Sequence, residues 1–101
     1  MQWWSGLGQN EAWASWLEHV ATAALFPSWD IAARFMTTTV CYGLAEASLA
    51  STHPIELGDV SDPAEIGELF DAVTYDAGAM AVRMLDDWLG RDRFLNALSH
   101  Y

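Results

Sequence analysis

Asn10-Glu11-Ala12-Trp13-Ala14-Ser15-Trp16-Leu17-Glu18-His19 opens a helix, and its reading decides the fold class. From Trp13 onward, Trp16, Leu17, Val20, Ala21, Ala24 and Leu25 recur at i, i+3, i+4, i+7, i+8, i+11 and i+12. That is the period of one buried helix face. Glu11, Ser15, Glu18 and Thr22 fall on a different side. The spacing predicts a helix from Asn10, read as its N-cap, to about Leu25. Local physics gives Glu11 a plain role: a carboxylate in the first turn complements the helix dipole, worth ~0.3–1 kcal/mol.

Further along, Phe26-Pro27 ends this helix, because proline cannot continue it. Ser28 is expected to cap a second helix reaching about Leu49, with Phe35, Met36, Thr39 and Val40 as its apolar stripe. The β-branched run Thr37-Thr38-Thr39-Val40 lowers helix propensity, so a short strand is the alternative there. Residues 50–61 read as a loop with Ser51, Pro54, Gly58 and Ser61 as turn residues. His53, held extended by Pro54, reads as a hydrogen-bonded or solvated loop histidine. Asp62-Pro63-Ala64-Glu65 is a helix start, with Asp at the N-cap, Pro at N1 and Glu at N3. Its apolar face is Ile66, Leu69, Phe70 and Val73. A fourth helix is expected from about Thr74 to Leu89, stopped at Gly90, with Gly78, Val82, Leu85 and Leu89 in one stripe. Arg83, Asp86, Asp87 and Arg91 read as an ordinary charged face. A last helix runs from Asp92 to about Ser99 and presents Phe94, Leu95 and Leu98. The expected architecture is all-α, about five helices in one compact or loosely compact unit.

A chain of 101 residues allows one small domain. Six tryptophans leave two readings open: a well-filled aromatic core, or aromatics that face a partner. With 14 acidic and 4 basic residues the formal charge is −10, which argues against nucleic-acid binding, since phosphate contacts need Lys and Arg. The single cysteine, Cys41, can form no internal disulfide, and its neighbours Val40 and Tyr42 predict a buried, inert thiol. The longest uncharged apolar run, Val20 to Pro27, is far below the ~18–20 residues of a membrane span. No basic segment with a cleavage site opens the chain, although Met1 is compatible with an internal methionine of a longer protein.

Several words of the sequence resemble, in order and spacing, those of the aminopeptidase N-like zinc peptidases, the gluzincin aminopeptidases. The family's Trp-Trp pair, its Asn-Glu-Gly-Phe-Ala and its Phe-Pro-x-Trp are matched by Trp3-Trp4, Asn10-Glu11-Ala12-Trp13-Ala14 and Phe26-Pro27-Ser28-Trp29. Ser51-Thr52-His53-Pro54-Ile55-Glu56 is similar to its Ser-His-Pro-Ile-Glu turn. Pro63-Ala64-Glu65-Ile66, Phe70-Asp71, Thr74-Tyr75-Asp76-Ala77-Gly78-Ala79, Met84-Leu85 and Leu89-Gly90 follow in family order. The chain departs from the pattern at Gly8 and Gln9, where the family has Trp and Leu. It also departs at Ala12 for Gly, at Trp13 for Phe and at Ala77 for a common Lys.

The resemblance implies the helical C-terminal part of a thermolysin-like catalytic domain in a zinc metallo-aminopeptidase, an enzyme that removes N-terminal residues from peptides. Glu11 falls on the family's third zinc ligand, and Tyr75 on the tyrosine whose hydroxyl stabilises the tetrahedral intermediate. The H-E-x-x-H helix that supplies the two zinc histidines and the base is absent, as is the Gly-x-Met-Glu-Asn substrate strand. His19, eight residues past Glu11, lies about 12 Å further along the helix axis and cannot share its metal. Residues 1–101 are therefore expected to form a single partial domain. By itself it should hold no zinc tightly, since one carboxylate is one ligand and zinc sites need three or four, and it should hydrolyse no peptide. The alternatives are a non-catalytic helical module that self-associates, or one that complements a separate chain carrying the missing half.

Overall fold

The computed structural model describes residues 6–56, 58, 60 and 62–100. The Trp3-Trp4 pair and Ser61 lie outside the described residues. Among the described residues five helices follow one another and no strand occurs. The first is Leu7–Leu25. The second, residues 31–47, is continuous through Ile31–Arg34, a π-turn at Phe35–Val40, and Cys41–Ala47. The third, residues 63–69, joins Pro63–Ile66 to a 3-10 turn at Gly67–Leu69. The fourth, residues 73–89, begins with a π-turn at Val73–Ala77 and continues as Gly78–Leu89. The fifth is Arg91–Leu98.

The all-α expectation holds, and the boundaries shift for physical reasons. The first helix starts at Leu7, so Asn10 is an interior residue and not the cap. Leu7 and Gly8 are buried, and that tertiary contact outweighs the capping preference of Asn10. Pro27–Trp29 forms a 3-10 turn, with Trp29 stacked on Phe26 at 4.3 Å between ring centroids. The cap of the second helix is consequently Asp30 rather than Ser28. Asp30 sits in the left-handed region at φ 47°, and its Oδ1 accepts from the Ala33 amide at 3.4 Å. A short polar side chain tolerates that conformation.

No strand forms at 37–40. The threonine run widens the helix into a π-turn instead, and its hydroxyls donate to preceding carbonyls: Thr37 to Ala33 at 3.0 Å and Thr38 to Arg34 at 2.6 Å. Cys41 follows on the outer side. It is exposed, not buried as its apolar neighbours suggested, and its thiol donates to the Met36 carbonyl at 3.4 Å. The third helix starts as expected, with Asp62 Oδ1 accepting from the Ala64 amide at 2.9 Å. Gly90, at φ 82°, ends the fourth helix and turns the chain directly into the fifth.

The core lies between the first, second and fourth helices and is closed by Phe94 of the fifth. Trp16 packs edge-on against Phe35 at 5.1 Å, and Trp13 lies tilted on Phe94 at 5.5 Å. Both readings of the tryptophans apply, to different residues: Trp16 is buried and Trp13 borders the core, whereas Trp88 is 82% exposed.

Small residues set how closely the helices meet. A β-carbon on Gly43 would stand 2.6 Å from the Ala77 nitrogen and 2.9 Å from the Asp76 carbonyl carbon. These are backbone atoms of the fourth helix and cannot swing away. Gly43→Ala is therefore expected to cost about 1–3 kcal/mol by overpacking. Gly67→Ala, which faces open space, should be close to neutral. Urea denaturation midpoints of the two variants against the parent check the difference.

Candidate active site

Glu11 lies in the first helix, on the residue before Ala12, and is half-buried. Tyr75 lies in the π-turn that opens the fourth helix, also half-buried, with its ring tilted against Phe70 at 6.4 Å. The contact between these helices is made by residues with almost no side chain. A β-carbon on Gly78 would stand 2.7 Å from the Ala12 β-carbon. Ala12 is buried at this crossing, so the methyl that replaces the family's glycine packs between helices. The crossing brings the first turns of both helices together, and Glu11 and Tyr75 with them.

The two side chains act on each other. The Tyr75 hydroxyl is pushed above the usual phenol value, first by desolvation, then by hydrogen bonding to Glu11 and by the charge of its carboxylate. All three effects favour the neutral phenol, the form that donates. Glu11 has a second partner: Asn10 Nδ2 donates to Glu11 Oε1 at 3.1 Å. Asp76, next to Tyr75, is pushed up by burial and drawn back down by nearby His19.

The remaining histidines are held elsewhere. His19 Nδ1 bonds the Ser15 carbonyl at 2.7 Å, so that nitrogen carries the proton, and its ring stands edge-on to Phe35 at 4.9 Å. His100 Nδ1 bonds the Asn96 carbonyl at 2.7 Å. His53 is tied to Asp71, with Nε2 and Oδ2 3.0 Å apart. Among the described residues no group of three or more His, Cys, Asp or Glu side chains is placed to hold a metal ion. Glu11 alone does not fit a zinc centre, which takes at least three protein ligands.

Two residues carry more of the site than their sequence context suggested. Asp71 is the N-cap of the tyrosine-bearing helix: its Oδ1 accepts from the Val73 and Thr74 amides, both at 3.0 Å, and its carbonyl accepts from the Tyr75 amide at 3.0 Å. An aspartate just before the expected start at Thr74 was the available signal. Asp86 is the second. It does not belong to an exposed charged face: it is 2% exposed and accepts from Trp16 Nε1 at 2.9 Å and Arg91 Nη2 at 2.9 Å. Its spacing from Arg83 and Arg91 looks like any surface ion-pair pattern, and nothing local marks the distant indole.

Comparison with known proteins places these residues in context. The Peptidase family M1 domain matches residues 1–101. Over all of its 101 residues the chain is 44% identical to aminopeptidase M1-B of Oryza sativa subsp. japonica. It is 42% identical to aminopeptidase M1 of Arabidopsis thaliana and 37% identical to tricorn protease-interacting factor F2 of Thermoplasma acidophilum, again over its whole length. It spans 11% of the length of each of the two plant relatives and 13% of the archaeal one.

Proposed function

The chain belongs to the peptidase M1 family, and from that premise we propose that it is the tyrosine-bearing helical part of a zinc aminopeptidase that removes N-terminal residues from peptides. Glu11 would supply one protein ligand to the zinc, and a segment carrying H-E-x-x-H would supply the others. Tyr75 donates to the oxygen of the scissile carbonyl as negative charge develops on it. The observation that carries the reading is the meeting of Glu11 and Tyr75 across the Ala12–Gly78 crossing. A phenol that donates to an oxyanion has to hold its proton, as a tyrosine does at neutral pH.

The chain's own residues position and donate. The zinc ligand set is completed from outside residues 1–101, and peptide is the expected substrate. Exposed Trp88, Met84 and Tyr42 support a companion polypeptide against these helices.

Hydrolysis of an amino-acyl anilide tests the proposal. The chain alone is expected to turn over none, and to hold no stoichiometric zinc by elemental analysis. With zinc and a polypeptide that supplies the two-histidine helix, turnover should appear. Turnover by the chain alone, or stoichiometric zinc on it, would overturn the assignment.

A further inference from the structure

The turn at residues 53–55 touches the beginnings of both helices that carry the site. On one side the Ile55 carbonyl presses against Gly8, in the first turn of the helix that carries Glu11. Only glycine leaves room for that approach. On the other side His53 Nε2 meets Asp71 Oδ2 at 3.0 Å, while Asp71 Oδ1 accepts from the Val73 and Thr74 amides. The two oxygens of one carboxylate thus divide the work: one caps the helix and the other holds the turn. The second ring nitrogen of His53, Nδ1, lies 2.8 Å from the Pro54 carbonyl. The Asp71 carboxylate only accepts, so the His53 ring donates to it from Nε2. The His53 side chain is 23% exposed and that of Asp71 38%, so the pair is partly shielded from water.

We propose that His53 is a positioning residue, which clamps the 53–55 turn onto the Asp71 cap and so fixes the spacing of Tyr75 from Glu11. It touches neither side chain. It acts through Asp71, whose backbone carbonyl receives the Tyr75 amide at 3.0 Å, and through Ile55 on Gly8. The meaning of that spacing for catalysis rests on the function proposed above. The clamp itself does not, and can fail or stand separately from it.

The test uses the whole 101-residue chain and nuclear magnetic resonance. In His53→Ala the Val73 and Thr74 amides should exchange about tenfold faster, as expected when a helix cap loosens locally. The Tyr75 ring resonances should move, and protection of the Trp16 indole should stay unchanged as the marker of the global fold. His53→Gln, whose amide can still donate to Asp71, should restore both readouts. Asp71→Ser keeps a capping oxygen but loses the one that holds His53. It should move the Tyr75 ring resonances while protecting Val73 and Thr74. Tyr75 resonances unmoved in both His53→Ala and Asp71→Ser would overturn the clamp. So would a rise in exchange that includes the Trp16 indole in His53→Ala, with Tyr75 unmoved in Asp71→Ser.

Discussion

Asp86→Ala is expected to destabilise the chain by about 1–3 kcal/mol, chiefly the cost of leaving the buried Trp16 indole without an acceptor, since Arg91 is 42% exposed and its own loss is screened by water. Asp86 Oδ2 receives both the Trp16 indole N–H, from the first helix, and the Arg91 guanidinium, from the start of the fifth. Removing the carboxylate leaves a buried indole donor without an acceptor. It also leaves Arg91, which stands over the Trp16 ring at 5.6 Å, without its anion. Arg83 lies on the same aromatic cluster, 6.0 Å from Trp16 and 5.1 Å from Phe35, so the loss adds positive charge to positive charge. Asp86→Asn keeps the shape and one acceptor and should cost clearly less. Urea unfolding followed by tryptophan fluorescence measures both. A loss below about 1 kcal/mol in the alanine variant would mean that the pair behaves like an exposed one. Because Asp86 ties the fourth helix to the first, the alanine variant should also loosen the crossing that brings Glu11 to Tyr75.

On the function proposed above, Tyr75→Phe is expected to lower kcat of the assembled peptidase by about 10²–10³, with little change in KM, the pattern of an interaction made only in the transition state. The substitution is conservative for the fold. The ring that tilts against Phe70 remains, and only the hydroxyl that faces Glu11 is removed. Stability by denaturation should therefore match the parent, which separates a chemical loss from an unfolded one. A rise in KM at unchanged kcat would instead assign Tyr75 to substrate binding. The measurement is steady-state hydrolysis of an amino-acyl anilide by the peptidase assembled with its two-histidine segment.

The expected effects differ in how visible their causes are in one dimension. Glu11 and Tyr75 could be singled out because each sits inside a run of family words, and the structure brings their side chains together. The helical class was legible because apolar residues recur at helical spacing in every segment long enough to show it. The third-helix start was legible because Asp62, Pro63 and Glu65 act on their own backbone. Ser28 and Asn10 were misread as caps for the same reason in reverse. Capping preference is worth about 1 kcal/mol, and the stacking of Trp29 on Phe26 or the burial of Leu7 decides against it.

By itself, the sequence determined the helical fold class and the family, and it singled out Glu11 and Tyr75 as the candidate carboxylate and phenol, since periodicity and motif words are properties of neighbouring residues. Tertiary structure alone decided that Asp86 is buried on Trp16, that Cys41 is exposed, that Ala12 rests on Gly78, and that His53 reaches Asp71. Burial and pairing belong to residues far apart in the chain. Which of them meet depends on where the helices cross, and that is set by the small side chains at the crossings.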